Sequence, residues 1–175
     1  SKIIQIYIDG EPTDIALVDV AISKERFEAT RAIWDMNTLY EVFLTRAEPA
    51  SIGLSSIGAR LQPVSLSDDG GLRYSLLDHE GPPAAADRKD GQAFIQAPIA
   101  PGVVPTVAIS SWRRIADGER VPLERRHCTV AVDGERAFAV KTDQYLEIEV
   151  TRDGPPVVDV NAVLNHAVTH HLFDE

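Results

Sequence analysis

The residues able to do chemistry in this 175-residue chain are few, and the sharpest is Asp19. It stands in Leu17-Val18-Asp19-Val20-Ala21-Ile22, an otherwise apolar run. A carboxylate is costly to bury there unless it is paired or hydrogen-bonded, so its type and place point to a polar role beside a cleft. If Asp19 instead shares a solvent face with Leu17 and Ala21, that argument lapses. The second feature is Ser51-Ile52-Gly53-Leu54-Ser55-Ser56-Ile57-Gly58. Small residues, hydroxyls and backbone N–H groups at a helix start make a cradle for an anion or a ribose. Arg113 and Arg114, after Trp112, offer positive charge. The same glycines serve equally to pack a turn against a sheet, and the sequence leaves these two readings level.

Other chemistries have weaker support. His166 and His170 are four residues apart and share a helix face, a spacing that can clasp a metal. No third ligand accompanies them, so an exposed helix end with cationic side chains near its C-terminus is favoured. A Gly-x-Ser-x-Gly elbow is absent, and Ser55 has the wrong flanking spacing for one, which disfavours a hydrolase. Neither a Gly-Lys-Ser/Thr phosphate loop nor a Gly-x-Gly-x-x-Gly fingerprint occurs. Cys128 lies in the strand-like run His127-Cys128-Thr129-Val130 and reads as a small buried hydrophobe.

Composition narrows the field further. The chain has 17 Lys+Arg against 27 Asp+Glu, a formal net charge of −10, so a nucleic-acid coat is not expected. A single cysteine rules out an intrachain disulfide framework and a multi-cysteine zinc site. No apolar run approaches the ~20 residues of a membrane helix, and no signal peptide is visible, so the expected setting is cytoplasmic and away from membranes. The chain opens at Ser1 and its one methionine is Met36. That suggests a piece of a longer protein with a partner domain missing.

These residues need elements to position them. Alternating β-branched residues over Lys2–Ile22, with Asp9-Gly10-Glu11-Pro12 between, predict a β-hairpin. Thr38 with Glu41 fits a capping box, which predicts a short helix carrying Leu39, Tyr40, Val42, Phe43 and Leu44 and stopped by Glu48-Pro49. A shorter helical turn is expected around Arg26–Trp34. Ser51–Ala59 is a poor autonomous helix, suited to close backbone approach. From Leu72 the chain is mostly strand: 72–77, 93–96, 106–112, 129–132, 137–140 and 145–150, with Asp133-Gly134 the strongest hairpin signal. Glu80–Gly91 reads as a loop. A closing helix follows from Val160, Val163, Leu164, Ala167, Val168 and Leu172, capped by Asp159 or Asn161. The expected fold is mainly β with a few short helices, sandwich-like.

Taken in order, Leu17–Ile22, Leu44–Gly58, Ile95–Gly102 and Thr129–Glu135 resemble segments of the C-terminal part of ATP-NAD kinase-like proteins, nearest the AcoX branch associated with acetoin catabolism. The resemblance covers nearly the whole chain. It implies a single C-terminal β domain over residues 1–175 of the NAD kinase/diacylglycerol kinase-like fold. In such proteins an N-terminal α/β domain carries a catalytic Gly-Gly-Asp-Gly, which this chain lacks; Asp68-Asp69-Gly70-Gly71 has another order. The resemblance therefore implies no catalytic residue within this chain. It implies ATP and NAD, or a related nucleotide, as ligands of the intact protein, and a homo-oligomer.

The site carries over in part. The Asn-Glu pair that holds the dinucleotide in NAD kinases is matched by Val18-Asp19. Their Thr-Pro-Thr-Gly-Ser-Thr-Ala-Tyr segment is matched by Ala50–Ile57, which keeps the glycine as Gly53, has Ser55 for a threonine and loses the tyrosine. Asp19, Gly53, Ser55 and Ser56 are the nucleotide-binding residues this resemblance implies. Phosphoryl transfer to a nucleotide or polyol hydroxyl is one reading of the intact protein. A non-catalytic ligand-sensing or oligomerisation module is the other.

Overall fold

A computed structural model describes residues 1–25, 36–77 and 91–173. The chain folds into two antiparallel sheets. The smaller has the order β2-β1-β11-β8, from Glu11–Ala16, Ile3–Ile8, Leu146–Thr151 and Arg120–Pro122. The larger has the order β10-β9-β3-β4-β5-β7-β6, from Arg136–Val140, Cys128–Val132, Asp19–Ser23, Leu39–Leu44, Gly71–Leu76, Thr106–Ile115 and Ala93–Gln96. The expected mainly-β, sandwich-like fold is the one observed.

Two apolar layers hold it together. Ile4, Ile6, Val20, Ile22, Phe43, Val130, Val132, Ile148 and Val150 fill the space between the sheets. On the far face of the large sheet, Ala21, Val42, Leu44, Leu72 and Tyr74 meet Ile57 and Ala59 of helix α1, Leu54–Leu61. Strands β3 and β4 are thus covered on both sides. That is why Asp19–Ser23 and Leu39–Leu44 read as nearly continuous apolar runs.

The N-terminal hairpin forms, but tighter than expected. Asp9 and Gly10 both take positive φ, 55° and 85°, and close a two-residue turn between Ile8 and Glu11. Glu11 and Pro12 belong to β2, where an edge position tolerates proline. The second expected strand is in fact two. The chain leaves the small sheet after Ala16 and enters the large one at Asp19.

The helix expected over Thr38–Leu44 is instead strand β4. Only Met36–Thr38 is helical, as one 3₁₀ turn. The Thr38 carbonyl accepts from the Lys24 N–H, and Glu41 is drawn into ion pairs with Arg73 and Arg126. The apparent capping box was a coincidence of spacing. Six residues rich in Tyr, Val and Phe, with partners on both sides, gain a full ladder of hydrogen bonds as a strand. The strands expected from Leu72 to Val150 are all present, β7 running on to Ile115. The expected helical turn at Arg26–Trp34 and most of the Glu80–Gly91 loop lie outside the described residues.

Helix α2 spans Val160–Thr169, with the Asp159 carboxylate accepting from the Ala162 N–H. No helix among the described residues is long and apolar enough to cross a membrane.

Candidate functional site

Asp19 is the first residue after the chain switches sheets. The corner before it is held by the Asp133 carboxylate. That group accepts backbone N–H bonds from Leu17, Val18 and Asp19 at 2.8, 2.8 and 3.1 Å. Asp133 reaches them because it lies at the tip of the β9–β10 hairpin, where Asp133 and Gly134 take φ of 52° and 66°. Asp133-Gly134 was legible as a turn. Its carboxylate's second task, 116 residues from Leu17, was not.

The Asp19 side chain points to the α1 face of the large sheet, since Asp19 pairs with Leu44 and Ala21 packs in that layer. No hydrogen bond or ion pair to its carboxylate is found among the described residues, yet neither oxygen is sealed from solvent. Burial, and then the nearby Asp133 charge, push its pKa from 3.8 up to about 6. Among the described residues no cation offsets either effect. A sunken, reachable and uncompensated carboxylate is a site feature.

Across this face lies the N-terminus of α1. Gly53 precedes the helix with φ 84°, a conformation that favours glycine, and no side chain caps the first turn. The fully buried Tyr74 stands between the two features. Its hydroxyl donates to the Leu54 carbonyl at 3.2 Å, and burial, then the Asp19 charge, raise its pKa well above 10.0. The structure thus brings Asp19 and the Gly53 helix start to one face of the sheet.

Ser55 and Ser56 are on the same helix start, but their hydroxyls are turned inward. Ser55 donates to the Arg46 carbonyl at 3.1 Å, and Ser56 contacts the Gly53 and Pro98 carbonyls at 2.9 Å each. They fix the approach loop to α1. Gly58 answers the packing reading, since a Cβ there would collide with Leu44, Leu72 and Ala47. A Cβ at Gly53 would meet only the Ile99 carbonyl, at 4.0 Å, so this glycine serves the backbone turn. Arg113 and Arg114 are spent elsewhere, on Glu119 at 2.8 Å and Asp68 at 3.8 Å.

Other polar groups have structural surroundings. His166 and His170 stack at the exposed end of α2, ring centroids 3.9 Å apart. Among the described residues no group of three His, Cys, Asp or Glu is placed to hold a metal. Burial raises the Cys128 thiol, which keeps it a weak nucleophile. The buried Glu41 binds Arg73 at 2.7 Å and Arg126 at 3.9 Å, and Arg126 also lies over the Tyr40 ring. Nothing in the local sequence announced that triad or Tyr74, because their partners come from distant strands.

The model of the acetoin catabolism protein X C-terminal domain family matches residues 2–153. The chain belongs to that family. It is 38% identical over 164 residues to acetoin catabolism protein X of Cupriavidus necator, covering 94% of this chain and 43% of the relative. It therefore spans less than half the length of that relative. No solved structure matches it.

Proposed function

We propose that this domain is the nucleotide-facing half of a longer AcoX protein that serves acetoin catabolism, with the other half supplying the catalytic groups for phosphoryl transfer to a nucleotide or polyol hydroxyl. Family membership supports the acetoin association. The observation that carries the ligand reading is the opposite polarity of two features on one sheet face, both beside Tyr74. Asp19 is an unpaired acceptor, suited to the hydroxyls of a ribose or polyol and repelled by phosphate. The uncapped α1 N-terminus has positive character and suits the phosphate. A ligand with a sugar and a phosphate meets both. Phosphoryl transfer asks mainly for positioning and electrostatics, and this half contributes the positioning.

A second reading has an observation of its own. The hydroxyls of Ser55 and Ser56 are committed to backbone carbonyls, which leaves the helix start with N–H groups alone. That suits a module that senses a ligand without acting on it. Calorimetry of the intact protein with NAD and with ATP, in wild type and Asp19→Asn, tests both. Heat with either nucleotide that falls at least tenfold in affinity in the variant supports the site. Turnover of a polyol or nucleotide acceptor then separates kinase from sensor. No heat with either nucleotide overturns the nucleotide reading.

A further inference from the structure

An arginine stays charged at every working pH, so a guanidinium drawn part-way out of water needs an acceptor. Among the described residues the half-buried arginines are Arg46, Arg73, Arg114 and Arg126. Arg73 pairs with Glu41 at 2.7 Å, Arg114 with Asp68 at 3.8 Å and Arg126 with Glu124 at 2.8 Å. Arg46 has no ion pair, side-chain hydrogen bond or ring contact among the described residues. We infer that Arg46 is the phosphate-reading side chain of the face that carries Asp19 and the α1 start. The inference deepens the nucleotide reading and rests on it for the choice of phosphate over carboxylate, since a guanidinium fork fits both.

The backbone of Arg46 joins the two features of that face. Just before it, Leu44 is opposite Asp19 and the Thr45 N–H bonds the Val18 carbonyl at 3.0 Å. Its own carbonyl accepts from the Ser55 hydroxyl of α1 at 3.1 Å. Just after it, Ala47 and Val64 exchange two N–H bonds at 2.8 and 2.9 Å. These bonds fix where the side chain starts, which lowers the ordering cost of gripping a ligand. Ser55 thereby serves the site as a positioning residue, through Arg46.

Two carboxylates stand near, and neither takes the charge. Glu48, two residues on, is half-buried and its carboxylate has no partner among the described residues. Asp19 is moved by burial and by Asp133, with no cation among the described residues in play. The chain has 27 Asp+Glu against 17 Lys+Arg, so acceptors for a spare guanidinium are plentiful. One left unclaimed beside a site breaks the pattern set by Arg73, Arg114 and Arg126, and such breaks gather where a ligand is held. With Asp19 on the hydroxyls and Arg46 on the phosphate, the ligand class is a phosphate ester of a sugar or polyol, in preference to the neutral sugar.

Calorimetry of the intact protein with inorganic pyrophosphate, against malonate at matched ionic strength, tests the assignment. Wild type is expected to bind pyrophosphate with a Kd of about 1 mM or tighter, and malonate about tenfold more weakly or worse. Arg46→Met keeps the stem and loses the charge, and should weaken pyrophosphate about tenfold or more. Arg60→Met, in the last turn of α1, removes the same charge and should bind as wild type does. The unliganded melt of Arg46→Met should equal or exceed that of wild type, because the guanidinium has no native partner to lose. A melt lowered by several degrees overturns the inference, since the charge then serves the fold. So does malonate binding equal to pyrophosphate, no pyrophosphate binding at all, or pyrophosphate or NAD binding that Arg46→Met leaves unchanged. NAD binding that ignores Arg46 leaves the nucleotide reading standing without this assignment. Arg46-dependent pyrophosphate binding in a protein that binds neither NAD nor ATP leaves the assignment standing without the nucleotide.

Discussion

Replacing Asp19 by Asn should make the protein more stable, and more so the higher the pH. The carboxylate sits at about 6 in the folded chain against an ordinary 3.8. Between those values the folded state keeps a proton that the unfolded chain has released. The folded state then binds more protons, so stability falls as pH rises through that window. Below it Asp19 costs nothing; above about 6 the full penalty applies, about 3 kcal/mol at 1.36 kcal/mol per pH unit. Asn removes the charge and keeps the shape. Urea unfolding of wild type and variant, followed by tryptophan fluorescence at several pH values from about 4 to 7.5, isolates the effect. The two proteins should converge at the acid end and separate by up to about 3 kcal/mol at the neutral end. By heat, that gap is about 6–12 °C in Tm for a chain of this size. Asn also needs hydrogen-bond partners, so the change with pH decides more than the offset. Equal stabilisation at every pH, or none at neutral pH, would refute the idea of an uncompensated charge held at a cost to the fold.

Three further perturbations follow from the packing. Glu41→Ala leaves Arg73 and Arg126 facing each other without their shared carboxylate, and should lose about 2–4 kcal/mol in urea titrations, more than Arg126→Ala. Gly58→Ala should cost about 1–3 kcal/mol because its methyl meets Leu44, Leu72 and Ala47, whereas Gly53→Ala should cost about 1–2 kcal/mol through its φ of 84° alone; measured by urea unfolding in a Leu44→Ala background, the first loss should shrink and the second should not. His171→Gly removes a side chain from a left-handed position and should raise amide protection in α2 by roughly tenfold, about 1 kcal/mol, leaving the melt of the sandwich unmoved.

Local signals carried much of the fold and little of the site. Asp9-Gly10 and Asp133-Gly134 encode their turns in two residues, because only those types enter positive φ cheaply. The strands after Leu72 were legible because β-branched runs and turn residues alternate there. Thr38–Leu44 misled because a cap spacing and a short apolar run look alike in a helix and in a doubly covered strand. What decides is whether β3 and β5 arrive on either side, which is information from elsewhere in the chain. Asp19 stood out because charge in an apolar run is rare. That no cation among the described residues stands beside it, and the role of Tyr74, emerge only when strands far apart in sequence share a face.

The pairing of β1 with β11 sets a condition on how the protein is made. Ile3 is opposite Thr151 and Ile8 is opposite Leu146, so β1 waits for β11, the last of the described strands. A nascent chain can close the Asp9-Gly10 hairpin and the β3–β4–β5 ladder early. It cannot seal the inner face of the large sheet until residues 146–151 have left the ribosome. Contacts this distant form slowly, and the half-built sheet meanwhile offers Val20, Ile22 and Phe43 to water. Synthesis halted before Thr151 should therefore yield an aggregating product, while synthesis halted after Pro155 yields a folded one.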